Sequence, residues 1–327
     1  MIEIKCYSKE FEEAHIEFAK KYWKKKRRLT PEYIYWKFSG SPEKVLRSFI
    51  LAFDGDKVVG QFGLIPCQVK IGGIKYDAQW ACDLMVDSNY RGKGVANKLY
   101  DFAHKNKVIT LGSNPSPAAE KSMVRKGYVS LEGPRKFIYP FKIGEAFKLK
   151  GINNRLLNKI SNPFVALLYV FKNKSYTPIS TTRYAELIDN SVNEHLHCVY
   201  DSSFYKWRFS KFKSYYPGND CYEKDINNHF SGFFVNGIYY LNDFKVSGLL
   251  SFLKLISFIF FEYKEKSIKR IKFVCMSTGI SLIIPFLGFV GFRTLTSVIL
   301  YTENEEVKTK IQNKKFNYTY HDSDENI

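Results

Sequence analysis

Polar and apolar positions change period several times along the first half of the chain. "SKEFEEAHIEFAKKYWKKK" (8–26) has helical spacing, whereas "SFILAFDGDKVVGQFGLIPCQVKIGGIKYDAQWACDLMV" (48–86) reads as successive strands. Asp54-Gly55-Asp56 and Gly72-Gly73 interrupt that run where hairpin turns belong. A polar turn, "DSNYRGKG" (87–94), then leads into a helical segment with Val95, Leu99, Phe102 and Ala103 on one face. "KVITLGSN" (107–114) is a further short strand, and "SPAAEKSMVRKG" (116–127) is a helix closed by Gly127. "YVSLEGPRKFIYPF" (128–141) reads as a strand. The alternation predicts a mixed α/β architecture.

From about Lys142 to Lys174 the texture becomes basic and amphipathic, broken at Pro163, and reads as a helical connector. The chain thus divides into 1–141, 142–174 and 175–327. The third segment echoes the first. "PEYIYWKFSGSP" (31–42) returns as "SSFYKWRFSKFK" (202–213), aligning Trp36-Lys37-Phe38 with Trp207-Arg208-Phe209. After each come strand-like runs, an apolar helix, a short strand and a helix ending in Gly plus an aromatic, at "RKGYV" (125–129) and "FVGFR" (289–293). An internal duplication is the economical explanation, with two unrelated α/β segments sharing a triplet as the alternative. Trp36 and Trp207 are read as core anchors of their repeats before sugar-stacking platforms.

The charge balance narrows the class of partner. Fifty Lys and Arg against 32 Asp and Glu give a net charge of +18 over 327 residues, which favours anionic partners. The densest basic run, "YWKKKRR" (22–28), is a solvated helix face on this reading. Six cysteines form no CxxC pair, so neither a zinc site nor a disulfide framework is expected. No long apolar signal-peptide core follows the first residue, and a reducing cytoplasm is the expected location. "SGLLSFLKLISFIFFEYKEK" (247–266) is apolar around most of a helix but interrupted by Lys254 and three serines. It is read as a buried helix, with peripheral membrane contact as the lesser reading.

The glycine-containing turn after residue 86 carries chemistry. A turn running straight into a helix leaves backbone N–H groups unpaired, and the helix dipole adds positive potential there. A pyrophosphate is a natural guest at such a terminus. Gly92 and Gly94 let oxygen atoms approach the backbone, and Arg91 and Lys93 add charge. The spacing is neither GxGxxG nor GxxxxGK[ST], which argues against a dinucleotide fold and a P-loop.

"DLMVDSNYRGKGVANKLYDFA" (83–103) resembles motif A of the GNAT acyltransferase superfamily, a strand followed by Arg/Gln-x-x-Gly-x-Gly/Ala, with Arg91, Gly94 and Ala96 at the signature positions. The following strand, helix and Gly127-Tyr128 fit the same family. The second half resembles a degenerate copy lacking the signature. The whole is similar to tandem GNAT proteins of bacterial polysaccharide biosynthesis and, more distantly, to Fem-type aminoacyltransferases. The resemblance implies two GNAT-like domains, each a mixed, mostly antiparallel sheet flanked by helices. It implies acetyl-CoA or another acyl-CoA as donor, with no metal. Backbone groups of Arg91, Gly92, Lys93, Gly94, Val95 and Ala96 would hold the pyrophosphate, Met85 and Val86 would pair with the pantetheine arm, and Asn114 matches a position that contacts that arm. The acceptor is expected to be a small-molecule or carrier-linked amine, such as an amino sugar on a nucleotide or lipid for cell-envelope polysaccharide.

Acyl transfer to an amine needs a proton acceptor, an oxyanion donor and a departing thiolate. Asp83, on the strand that would line the cleft, is the candidate base; a surface carboxylate or one paired with a nearby Lys is the alternative. Cys82 is expected as a buried thiol and His104 as an exposed one-off on its helix. His195 and His197 alternate like strand neighbours, without partners at metal-ligand spacing. Where many family members carry a Tyr acid, this chain has Met123, and the second half has Leu287. Two rival readings stand beside acyl transfer from CoA. One is a Fem-like transfer from charged tRNA, which the positive charge suits but the retained phosphate loop argues against, so nucleic acid is not the expected partner. The other is a non-catalytic CoA-binding or membrane-peripheral protein.

Overall fold

The structure, a computed structural model, describes residues 1–23, 30–148, 151–172, 175–189, 196–210, 219–275, 278–312 and 314–319. The basic run at 24–28 and His195 therefore lie outside the described residues. In chain order the first half supplies β1 (Ile2–Tyr7), α1 (Glu12–Lys20), α2 (Pro31–Lys37), β2 (Leu46–Asp54), β3 (Lys57–Ile71) and β4 (Ile74–Val86). There follow α3 (Val95–His104), β5 (Ile109–Ser113), α4 (Pro117–Arg125) and β6 (Val129–Pro140). The middle holds α5 (Ile143–Lys148), α6 (Val165–Val170), β7 (Thr177–Pro178), α7 (Thr181–Asp189) and β8 (His197–Val199). The second half adds α8 (Ser202–Ser210), β9 (Asp220–Asp225), β10 (Asn228–Val235), β11 (Ile238–Lys245), α9 (Leu249–Tyr263), β12 (Arg270–Cys275), α10 (Thr278–Ile283), β13 (Val290–Tyr301) and α11 (Glu305–Ile311).

These elements form two compact units whose chain segments interleave. Unit 1 contains residues 1–132, 193–199 and 297–316; unit 2 contains 133–192, 200–296 and 317–327. The linear division at 141 and 174 read from the sequence differs from this. The stretch expected as a connector belongs wholly to unit 2, and two short segments from beyond it return to unit 1.

In unit 1 the sheet runs β1-β2-β3-β4-β5, continued by the last residues of β13, while β8 pairs with β3. All neighbours are antiparallel except β4 and β5, which are parallel. The Asp54-Gly55-Asp56 and Gly72-Gly73 turns close the β2–β3 and β3–β4 hairpins, with Gly55, Gly72 and Gly73 at positive φ as such turns require. One face is covered by α3, whose Val95, Leu99, Tyr100 and Ala103 bury against Ile50, Val59 and Phe62. On α1 and α2, His15, Phe18, Tyr35 and Trp36 are buried, and Tyr7 packs edge-on against His15, Tyr35 and Phe49. Helix α2 is started by Thr30, whose hydroxyl accepts from Tyr33 N–H, with Pro31 at the first position.

In unit 2 the order is β6-β12-β11-β10-β9-β7, with β11 and β12 parallel. The apolar segment at 247–266 forms α9, which buries Phe252, Leu255, Ile256 and Ile259 against Phe230, Phe273 and Phe289. Each such side chain contributes about 1.5–3 kcal/mol on burial, which makes α9 the core of this unit. Among the described residues no helix is long and apolar enough to cross a membrane. Helix α6 docks on α9, with Ser257 Oγ donating to the Leu168 carbonyl at 2.7 Å.

Candidate functional site

The site is built where β4 ends and α3 begins. The β3–β4 register pairs Gln61 with Met85 and Gly63 with Cys82, so Asp83 and Leu84 together oppose Phe62. That is a β-bulge, and it breaks the strict alternation of side chains along β4. Asp83 takes φ of 50°, a left-handed conformation costly for a residue with a Cβ. Its carbonyl accepts from Gln61 Nε2 at 3.2 Å, and Gln61 Oε1 lies 3.1 Å from His15 Nε2. Its carboxylate accepts from Lys37 Nζ at 2.6 Å. The Lys37 side chain is 1% exposed and that of Asp83 10% exposed. A buried lysine is costly unless paired, so the ion pair holds the bulge down.

Just before the bulge the two parallel strands part. Among the described residues the β4–β5 ladder runs from Ala78–Ile109 to Ala81–Gly112, while β4 continues to Val86. The edge of β4 around Met85 and Val86 thereby faces a gap in the sheet where an extended arm can lie. Both residues are half-buried. Asp87 follows, its carboxylate accepting from Asn89 N–H, which holds that carboxyl below its ordinary range. Tyr90 donates to Asp54 at 2.8 Å, pinning the turn to the β2–β3 hairpin.

Arg91, Gly92, Lys93 and Gly94 are all exposed. Gly92 and Gly94 have φ of 77° and 78°, so a Cβ at either would strain the backbone although the space outside is open. Gly94 is the N-cap of α3, and no side chain caps the helix. The first-turn N–H groups, with Ala96 half-buried and Val95 buried, are thus left for an external acceptor, and the dipole points the same way. Open space, uncapped N–H groups and two cationic side chains fit a diphosphate. Val95 contributes backbone only, since its side chain is in the core.

Residues 3–107 match the family model of the acetyltransferase (GNAT) domain. Among solved structures, a conserved protein of unknown function from Enterococcus faecalis V583, described as a probable N-acyltransferase, is similar at 10% identity and a TM-score of 0.60, over 92% of this chain and 73% of that one. A GCN5-related N-acetyltransferase from Kribbella flavida gives 11% identity and 0.60, over 92% and 72%. Saccharomyces cerevisiae N-myristoyltransferase with bound myristoyl-CoA gives 12% identity and 0.55, over 92% and 79%. No curated protein sequence matches. The fold is the GNAT fold.

On that fold the residues singled out from the sequence separate into groups. Met85, Val86, Arg91, Gly92, Lys93, Gly94, Val95 and Ala96 lie in one continuous strand–loop–helix junction. Asn114 stands at the end of β5 and is exposed, with its N–H donating to the Ser297 carbonyl at 2.8 Å and its Oδ1 accepting from Ser297 N–H. Its side-chain oxygen is therefore engaged with β13. Cys82 is half-buried, where a buried thiol was expected. His104 is a correction: it is 8% exposed, stacks on Tyr301 at 3.7 Å between centroids and lies 3.0 Å from the Tyr128 hydroxyl. Burial lowers its pKa, so it is a neutral packing group. Met123 is buried on α4 in the α3 core. Trp36 is buried and Trp207 half-buried. His197 pairs opposite Lys70 on β8. Among the described residues no three His, Cys, Asp or Glu side chains gather as metal ligands.

Sequence reasoning passed over Lys37. Its one signal was the centre of the Trp36-Lys37-Phe38 triplet, echoed by Arg208, and both cations are buried.

Proposed function

We propose that the protein is an acyl-CoA-dependent N-acyltransferase that moves an acetyl or related acyl group to an amine. The observation that carries this reading is the uncapped α3 terminus behind the open, positive-φ glycines Gly92 and Gly94. The acyl-CoA arm would run along Met85 and Val86, with the diphosphate on the N–H groups of residues 91–96, of which those of Arg91 and Lys93 first give up their 3.4 Å bonds to the Ser88 and Tyr90 carbonyls. The family-model match over residues 3–107 supports the same donor. The acceptor is an amino sugar on a nucleotide or lipid carrier for cell-envelope polysaccharide, supported by the net charge of +18 and its preference for anionic carriers.

In this reading Asp83 receives the proton released as the amine attacks the thioester. The Lys37 ammonium, 2.6 Å away, holds the carboxylate in place at the bulge. The thiolate leaves unassisted, because Met123 has no proton to give and a CoA thiolate is a tolerable leaving group. The two halves descend from one GNAT ancestor by duplication, supported by the repeated order of helix, three strands, helix, strand and helix.

Thiol release from acetyl-CoA, measured with a panel of nucleotide-linked amino sugars and simple amines, tests the reaction. Amine-dependent release is expected, and Asp83→Asn should lower it with acetyl-CoA affinity retained. Tight CoA binding with no amine-dependent release across the panel would overturn the catalytic reading.

A further inference from the structure

Unit 2 keeps the strand geometry of the cofactor cleft but not its phosphate cradle. Its parallel ladder runs only from Ile238–Arg270 to Tyr240–Lys272, and β11 continues to Lys245. Ser231 pairs with Asp243 and Gly232 with Leu241, so Asn242 is the extra residue of a bulge, as Asp83 and Leu84 are in unit 1. Past that bulge lies a cavity of about 230 Å³, lined by Asn242 to Val246, by Val274 and Cys275 of β12, and by Asn317 to Thr319. That is several water volumes. Where unit 1 has an open glycine turn, this cleft is closed by Ser247, whose N–H and Oγ both donate to Asn228 Oδ1. Helix α9, like α3, has no side-chain cap, but its entry carries no left-handed glycine and the Ser247 N–H is already taken.

The polar groups of the cavity are specific. Asp243 and Lys245 stand two residues apart in the regular part of β11, and so project to the same face. Among the described residues neither enters an ion pair, with the other or elsewhere. The strand rise separates their Cα atoms by about 6.5 Å. One small zwitterion spans such a gap with a charge-assisted hydrogen bond of about 2.8 Å at each end. Asn242, 1% exposed, gives its Nδ2 to Asn219 and leaves Oδ1 with no partner. A buried carbonyl without a donor is costly and invites an N–H from a ligand.

The groups around this face do not cancel its charges. His229, opposite Lys245, is held neutral, its pKa lowered to about 4 chiefly by burial and further by Lys245. Tyr184 donates its hydroxyl to the Asp243 carbonyl, not to its carboxylate. Tyr184 and Tyr205 are themselves pushed well up by burial and by Asp243. Burial raises the Asp243 carboxyl to about 6, the mark of a carboxylate lacking a nearby cation.

The geometry points to a second ligand site, contained within unit 2, that takes a free α-amino acid: its ammonium on Asp243 and Asn242 Oδ1, its carboxylate on Lys245. Phe244 and Val246 alternate to the opposite face and pack into the α9 core, so Val274 supplies the apolar wall on this side, which favours a small or aliphatic residue. The site is independent of acyl-CoA and of the reading of unit 1.

Calorimetric titration of the full chain, with no CoA present, tests it directly. The probes are glycine, L-alanine, L-serine, L-valine and L-glutamate, with ethylamine and acetate as carriers of one charge each. Saturable binding of at least one amino acid is expected, with both single-charge probes weaker by about tenfold or more. Asp243→Asn and Lys245→Met should each weaken the amino acid by about tenfold. Thermal melts report whether each variant folds. Should Asp243→Asn fail to fold, Lys245→Met decides, since Lys245 is half-buried and its truncation leaves no buried charge. Absence of binding by every amino acid at millimolar concentration, binding of ethylamine or acetate as tight as that of the amino acid, or affinity unmoved by Lys245→Met would overturn the assignment. Because CoA is absent, none of these results bears on the acyl-CoA site.

Discussion

The junction between β4 and α3 in unit 1 and that between β11 and α9 in unit 2 share a plan and differ in what they leave open. Both carry a bulge just after the parallel ladder ends. In unit 1 the next turn is exposed, uncapped and flanked by Arg91 and Lys93. In unit 2 the turn is Val246-Ser247-Gly248; α9 also starts without a side-chain cap, but the Ser247 N–H and hydroxyl are engaged by Asn228 and Ser251. The strand scaffold of the junction is thus separable from the turn that follows it. The bulges differ too. Asp83 is clamped by the buried ammonium of Lys37, whereas no ion pair of the Asp243 carboxylate forms among the described residues.

The largest expected effect lies in that clamp. Lys37→Ala removes one partner of a buried pair and should destabilise the protein by about 3–5 kcal/mol in urea denaturation. Lys37→Met with Asp83→Asn should recover part of the loss, since both charges of the pair are removed and Asn tolerates the left-handed φ of 50°. A single variant as stable as the wild type would show that the pair does not hold the bulge.

Acid should weaken both units. His15 in unit 1 and His229 in unit 2 are buried, and burial first of all lowers each pKa from 6.5 to about 4. The unfolded chain then binds more protons between those values, so stability is full above pH 6.5, falls as pH drops towards 4, and levels off below. Each histidine accounts for a loss of about 3 kcal/mol over that window. His15→Gln should flatten part of the slope in denaturation curves from pH 7 to pH 4; an unchanged slope would contradict the buried neutral state.

The smallest effect belongs to the glycine of the second junction. Gly248 has φ of 160°, extended backbone open to any residue, and a Cβ there meets nothing within 4 Å. Gly248→Ala should leave acetyl-CoA affinity unchanged within about twofold and stability within about 1 kcal/mol. A large loss of CoA affinity would place the cofactor in the wrong unit.

Much of the fold was legible because it is local. The Asp54-Gly55-Asp56 and Gly72-Gly73 turns, the Ser116–Gly127 helix and the strand–turn–helix at 83–103 are each encoded by neighbouring residues, and each stands where its pattern put it. The apolar stretch at 247–266 likewise became the buried helix its composition implied. What was hidden depends on long-range pairing. The three-residue β8 adds to β3, and the end of β13 pairs with β5, across about 180 residues of chain in the second case. No local period announces either, so the units interleave where a linear division was expected. The candidate site divides in the same way. The exposed glycine turn is contiguous and its place between strand and helix was readable, but the Lys37–Asp83 pair joins residues 46 apart, and a lysine reads as solvent-exposed until its partner is known. His104 was misjudged because its helix buries more than one face, with Tyr128 and Tyr301 closing over it.

Calorimetric titration with acetyl-CoA, run on the wild-type chain and on Gly94→Trp, tests the central claim that one unit alone binds the donor. The prediction is a stoichiometry of one per chain, and a loss of at least about 100-fold in affinity when the Trp side chain, at φ of 78°, displaces the diphosphate from its N–H donors. Two equivalents bound per chain, or an affinity untouched by Gly94→Trp, would contradict it.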